Sequence, residues 1–141
     1  MASNFATAMK ALTVEFEKTT AHHVVLSFGS TGKHYAQIKN GAPFDVFMAA
    51  DIERPRLLET QGLAQTDSRM TYARGKLILW TSKSGIDDIK NTLLIGQDFR
   101  HLAVANPKLS PYGLAAQQVM IKLDVWPRLQ SKLVRGENIA Q

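Results

Sequence analysis

An α/β fold with a mostly parallel sheet is the architecture this 141-residue sequence predicts, on three observations. Short apolar runs rich in β-branched residues alternate with amphipathic helical stripes. The junctions between them carry glycine, serine, asparagine and proline. The order strand, helix, strand, helix is that of right-handed βαβ units.

Phe5, Met9, Leu12 and Phe16, with Lys10, Glu15 and Lys18 between them, form one apolar helical stripe, and Ser3 or Asn4 is its natural N-cap. His23 to Phe28 reads as a strand buried on both faces and ending at Gly29. A helix follows from Thr31 to about Asn40, with Tyr35 and Ile38 inward and Asn40-Gly41 as its C-terminal cap. Asp45 to Ala49 is a short strand. Ile52 to Gln61 is a third helix, capped by Asp51, with Pro55 in its first turn and Gly62 at its stop. Tyr72 to Trp80 is long for a sheet member and suits a crossover from one lobe to another. Beyond it the pattern predicts a weak helix over Ile86 to Leu94, a strand at His101 to Ala105 and a strong helix from Tyr112 to Leu123. A turn or short helix at Trp126 to Leu129, a strand at Lys132 to Val134 and a helix opening near Gly136 complete it. These elements divide into a first lobe over 1–78 and a second over 79–141.

The apolar fraction of 45% and charged fraction of 21% suit a globular domain, and no run approaches the roughly 18 to 20 apolar residues of a membrane span. With no cysteine there is no disulfide, thiolate metal site or cysteine nucleophile. The net charge of +5 permits anionic partners, but lysine and arginine are scattered one at a time, which argues against a nucleic-acid face. The aromatics Phe44, Phe47, Tyr72, Trp80 and Trp126 read as core or lobe-joining residues rather than a base-stacking platform. His22, His23, His34 and His101 lack metal-ligand spacing. Asp51, Glu53, Asp87 and Asp88 have no nucleophile or base pattern around them, so catalysis has no support.

Four stretches place hydroxyls, amides and small residues where a helix should begin: Ala2 to Phe5, Gly29 to Gly32, Ser110 to Gly113 and Gly136 to Ile139. Unpaired N–H groups and the positive end of the helix dipole make such turns anion-binding when several converge. Each alone reads equally as a structural cap. Gly29-Ser30-Thr31-Gly32-Lys33 is not a nucleotide P-loop, because Ser27 stands where the first glycine belongs and His34 where a serine or threonine belongs.

Together these motifs resemble a known family. Ser3-Asn4-Phe5, Leu26 to Lys33, Tyr35 to Ile38, Asn40 to Phe47, Ala50-Asp51, Tyr72-Ala73 with Gly75-Lys76-Leu77, Ala105-Asn106-Pro107, Pro111-Tyr112-Gly113 and Gly136 to Gln141 are similar to the periplasmic molybdate-binding proteins of ABC transporters. The resemblance implies a periplasmic-binding-protein-like (type II) fold of two α/β lobes that closes on molybdate or tungstate, with no cofactor and no reaction. It implies that Ser3, Asn4, Ser30 and Thr31 hold the oxyanion from the first lobe, with Thr31 the primary residue of its pair, and that Tyr112 and the backbone N–H of Ile139 hold it from the second. It also implies a periplasmic location and delivery to a membrane permease. Receptors for sulfate or another small tetrahedral anion belong to the same fold and remain an alternative.

Relatives begin with a strand directly before the Ser-Asn turn and continue beyond the equivalent of Gln141, so the chain is expected to be truncated at both ends and to carry no signal peptide. The expected consequence is an incomplete sheet whose open edge favours association of copies, or a fragment that oligomerises without binding.

Overall fold

The computed structural model describes residues 1–86, 88 and 99–141. The helix expected over Ile86 to Leu94 lies outside them apart from Ile86 and Asp88. The helices follow the sequence periodicity closely: α1 spans Ala6–Thr19, α2 Thr31–Lys39, α3 Glu53–Thr60, α4 Pro111–Lys122 and α5 Trp126–Leu129. Two strands, β1 at Leu102–Ala105 and β2 at Leu133–Gly136, pair in parallel, with Leu102 opposite Leu133 and Ala105 opposite Gly136. Parallel neighbours need a crossover, and α4 with α5 supplies it.

Helix ends are set by the chain's punctuation. After α2, Gly41 takes φ +85° and the N–H groups of Gly41 and Ala42 bond Ile38 O and Gln37 O. After α3, Gly62 does the same at φ +68°, with Leu63 N bonding Leu58 O. After α4 the left-handed position falls to Asp124, and Val125 N reaches back to Met120 O. All three endings satisfy otherwise orphaned carbonyls in the same way. At its start, α3 is tied by Asp51, whose Oδ1 accepts from Arg54 N at 3.0 Å and whose Oδ2 pairs with the Arg54 guanidinium.

Burial is concentrated in two places. Met120, Val125 and Leu129 form a core against which Leu102, Val104, Ala116, Leu123 and Leu133 pack, which places α4 and α5 on one face of the β1–β2 pair. The other centre has Leu58 of α3 and Thr31 and His34 of α2 as its buried side chains. Within α2 the inward residues are therefore Thr31 and His34, while the expected Tyr35 and Ile38 are half-buried.

Several expected strands do not form ladders. Residues 22–28, 45–49 and 72–80 form no strand ladder among the described residues, and Val25 is 86% exposed and Val46 76%. The reason is a lack of neighbours: the ladder beside 22–28 is one residue deep, a parallel bridge between Ala2 and Gly29. Met1 and Ala2 lie between the two segments, with Gly29 N bonding Met1 O at 3.0 Å and Ala2 N bonding Met48 O at 3.2 Å. A continuous apolar run without ladder partners stays solvent-facing. The stripe of α1 is likewise uncovered, with Leu12 and Phe16 exposed and Thr13 its buried residue. Trp80, read as core or joining, is exposed, whereas Tyr72 is tied to the N-terminal elements: its ring meets Phe5 edge-on at 5.5 Å and its hydroxyl donates to Ala49 O at 3.0 Å.

Gly113 lets α4 approach β1. A Cβ there would collide with Ala105 O and lie 2.7 Å from Ala105 C and 2.8 Å from Asn106 C, all backbone. Gly113→Ala is expected to lower the unfolding free energy by about 1–3 kcal/mol through overpacking, although alanine is the better helix former by about 1 kcal/mol. Urea denaturation measures this, and an unchanged or raised midpoint would show that the contact does not constrain the fold.

Candidate functional site

The turn before α2 is built by Ser30, whose side chain accepts from Lys33 N at 3.3 Å as the helix N-cap. It is brought against the turn before α4 by a backbone hydrogen bond from Gly32 N to Leu109 O of 2.8 Å. Arg54 adds a bond from Nη2 to Lys108 O at 3.3 Å, and Lys33 Nζ reaches Glu137 Oε1 at 3.2 Å. These contacts close a small pocket of about 10 Å³, a space on the scale of one water molecule.

All six residues expected to hold an anion line this pocket: Ser3, Asn4, Ser30, Thr31, Tyr112 and Ile139. Ser30 and Thr31 are 3% and 1% exposed. Thr31 Oγ1 accepts from Ala50 N at 3.1 Å, so its own proton remains available to a partner in the pocket. Ser3 Oγ donates to Gly29 O at 3.0 Å, and Asn4 Nδ2 donates to Tyr112 Oη at 2.8 Å, a bond that joins two pocket walls. Tyr112 is the second residue of α4, after Pro111.

Two expectations are corrected. Ser3 and Asn4 do not cap α1, since they lie in a 3-10 turn, Ser3–Phe5, that precedes it and makes no side-chain cap bond. Gly136 to Ile139 does not open a helix: β2 ends at Gly136, and the chain turns there with Asn138 Oδ1 accepting from Ala140 N at 2.9 Å. Ile139 N–H makes no hydrogen bond among the described residues.

Ala2, Gly29, Ala50, Ser110, Pro111 and Asn138 also line the pocket and were not among the expected ligands. All but Ala50 stand inside the four helix-start stretches, where the Ser110 hydroxyl and the Asn138 amide were the available signal. Ala50 stands in a motif of the family resemblance, but its backbone N–H, which Thr31 Oγ1 accepts, has no side-chain signature. Among the described residues the lining has no charged side chain. A second cavity of about 460 Å³ between residues 77–79, β1 and α4 is lined almost wholly by aliphatic side chains, with Tyr112 the polar exception. Among the described residues no cluster of histidine and carboxylates has the makings of a metal site.

Beneath the Gly29–Ser30 turn, His34 is 3% exposed, with Nδ1 on Gln37 Oε1 at 2.9 Å, the Phe44 ring edge-on at 5.6 Å, and Nε2 buried without a hydrogen bond among the described residues. Burial lowers its pKa below the ordinary value; the Gln37 hydrogen bond opposes this and the charge of Lys33 adds to it.

Two helix starts meet at a pocket lined by neutral hydroxyls, amides and a phenol, on an α/β chain. Over its full length, residues 1–141, the chain matches the family described as bacterial extracellular solute-binding protein, and it belongs to that family. It is homologous to the molybdate-binding protein ModA of Azotobacter vinelandii, at 50% identity over all of this chain and 56% of that protein, and to that of Rhodobacter capsulatus, at 43% identity and again 56%. The chain thus spans a little over half the length of these relatives. Among solved structures, the periplasmic molybdate-binding protein of A. vinelandii superposes with a TM-score of 0.92 at 44% identity, covering 99% of this chain and 62% of that one. A substrate-binding domain from Clostridium difficile shares the fold, with a TM-score of 0.55 at 21% identity. The fold is therefore periplasmic-binding-protein-like, as expected, and the family to which the chain belongs is one of solute-binding proteins.

The His34 environment makes stability depend on pH with a definite sign. The unfolded histidine takes up a proton near its ordinary pKa of 6.5 while the folded one resists it, so stability is full above that pH and is lost as pH falls below it. Chemical denaturation between roughly pH 7.5 and roughly pH 5 should show this loss in the native chain and a smaller one in His34→Gln. Equal pH dependence in both would remove His34 from this account.

Proposed function

We propose that this chain is the ligand-holding part of a receptor for molybdate or tungstate. In this reading residues 1–78 and 79–141 form two lobes, the protein works in the periplasm, and a membrane permease of an ABC importer takes the ligand from it. The observation that carries the reading is the pocket lined by hydroxyls, amides and a phenol with no charged side chain.

A fully deprotonated tetrahedral dianion has acceptors on every side and nothing to donate, so a cage of neutral donors matches it. Its charge is offset by the N-terminus of α2, a nine-residue helix, and by the hydrogen bonds themselves. Entry exchanges the Asn4–Tyr112 bond for bonds to the anion. Asn4 Nδ2 and Tyr112 Oη–H then both donate to the ligand, with Ser30, Thr31 and Ile139 N–H donating from the remaining walls and Ser3 turning from Gly29 O. Phosphate, which carries a proton near neutral pH, gains less from a donor-only cage. Sulfate has the same charge and shape, so cage size separates it. The relatives from A. vinelandii and R. capsulatus, both molybdate-binding proteins, support the choice of ion.

Calorimetric titration with molybdate, tungstate, sulfate and phosphate tests this. Molybdate and tungstate should bind alike and sulfate much more weakly, while equal binding of sulfate and molybdate would favour the sulfate receptor. Thr31→Ala and Tyr112→Phe should each weaken binding by about 1.5–3 kcal/mol with little change in thermal stability, and Thr31→Ser should be milder. Unchanged affinity in Tyr112→Phe would reduce the phenol to packing.

A further inference from the structure

Gly75 lies in segment 72–80, which belongs to no helix or ladder among the described residues, and outside the pocket lining. A Cβ placed on it would land well inside contact distance of Tyr112 Oη and 3.1 Å from Tyr112 Cζ, and the three nearest atoms to it all belong to Tyr112. Gly75 is not one of the positive-φ glycines, so alanine is admissible there as far as the backbone is concerned. What this position excludes is therefore a side chain against the phenol. Tyr112 in turn holds Asn4 through the 2.8 Å hydrogen bond.

We infer that Gly75 is a positioning residue for the oxyanion site: its bare backbone is the seat that sets where the Tyr112 hydroxyl stands, and through it where Asn4 stands. The inference rests on the oxyanion reading above. A methyl group at 75 displaces the phenol, because the end of a tyrosine side chain yields more easily than a backbone held at both sides. The displaced hydroxyl loses its bond to Asn4 and its aim at the ligand, and the fold persists because no backbone contact opposes the methyl. The seat lies on the segment between the two parts of the chain, so a movement of that segment changes the donor geometry directly.

The test is a double-mutant cycle on the 141-residue chain, with calorimetric titration of molybdate into the native protein, Gly75→Ala, Tyr112→Phe and the double variant. Gly75→Ala should weaken binding about tenfold when Tyr112 is present and less than about twofold in the Tyr112→Phe background, where the colliding oxygen is gone. A similar loss in both backgrounds, or a loss of less than about twofold in the first, overturns the inference. A readout independent of the anion is the Asn4 side-chain amide resonance in ¹H–¹⁵N spectra: it should shift in Gly75→Ala as it does in Tyr112→Phe, and an unmoved resonance also overturns the inference. If the native chain binds neither molybdate nor tungstate, the oxyanion reading fails by itself, and the Asn4 resonance alone decides the role of Gly75. Should Gly75→Ala fold poorly, recovery of its melting temperature in the double variant supports the seat, and no recovery counts against it.

Discussion

The arrangement depends on one close approach, the hydrogen bond from Gly32 N to Leu109 O. It is possible because residue 32 has no side chain: a Cβ there would lie 2.8 Å from Leu109 O and 3.1 Å from Leu109 Cα, both backbone atoms that cannot swing aside. The contact sets the start of α2 against the start of α4, which is what brings Ser30 and Thr31 within one pocket width of Ser110 and Tyr112. Gly113 performs the same service one layer away, seating α4 on β1. The site is thus a product of backbone proximity at glycines, with the hydroxyls and amides of the intervening turns projecting into the space left over.

The neutrality of the lining has a thermodynamic side. A buried lysine or arginine would bind an anion strongly, but it would stand uncompensated whenever the pocket was empty. Hydroxyls and amides can instead satisfy one another, as Asn4 and Tyr112 do, and Thr31 and Ser30 do with backbone N–H groups of Ala50 and Lys33. The charged groups close by are paired among themselves, Lys33 with Glu137 and Arg54 with Asp51, and stand outside the lining. Both pairs join or brace the elements that form the pocket, and the exposed Lys33–Glu137 pair contributes little to stability by itself.

Stabilisation is unevenly distributed. Apolar burial is concentrated around Met120, Val125 and Leu129, with a second and smaller centre around Leu58, while Leu12, Phe16, Val25, Ile78 and Trp80 remain open to solvent. Hydrophobic stabilisation scales with area removed from water, so these exposed side chains contribute little of what their composition suggests. The aliphatic cavity between 77–79 and α4 belongs to the same pattern.

The sequence by itself determined α2 through α5 and their limits, because periodicity, asparagine, glycine and proline act through bonds a few residues long. α2 through α5 fall within a residue or two of where the pattern puts them, and β1 and β2 lie near their expected places. It also marked six residues that prove to line one pocket, since small polar turn residues are distinctive and the family resemblance joined them into a set. What it could not determine was pairing and burial. His23 to Phe28 and Asp45 to Ala49 have strand composition, yet a strand exists only when a neighbour offers its backbone, and here the pairing is a single bridge between Ala2 and Gly29. The inward face of α2, the exposure of Trp80 and the turn at 137–140 were likewise decided by what lies alongside. Ala50 and Gly75 stand in motifs that carry the family resemblance, but what each does could not be read there: one acts through a backbone N–H and the other through the absence of a side chain, and each matters only once tertiary structure sets a partner against it.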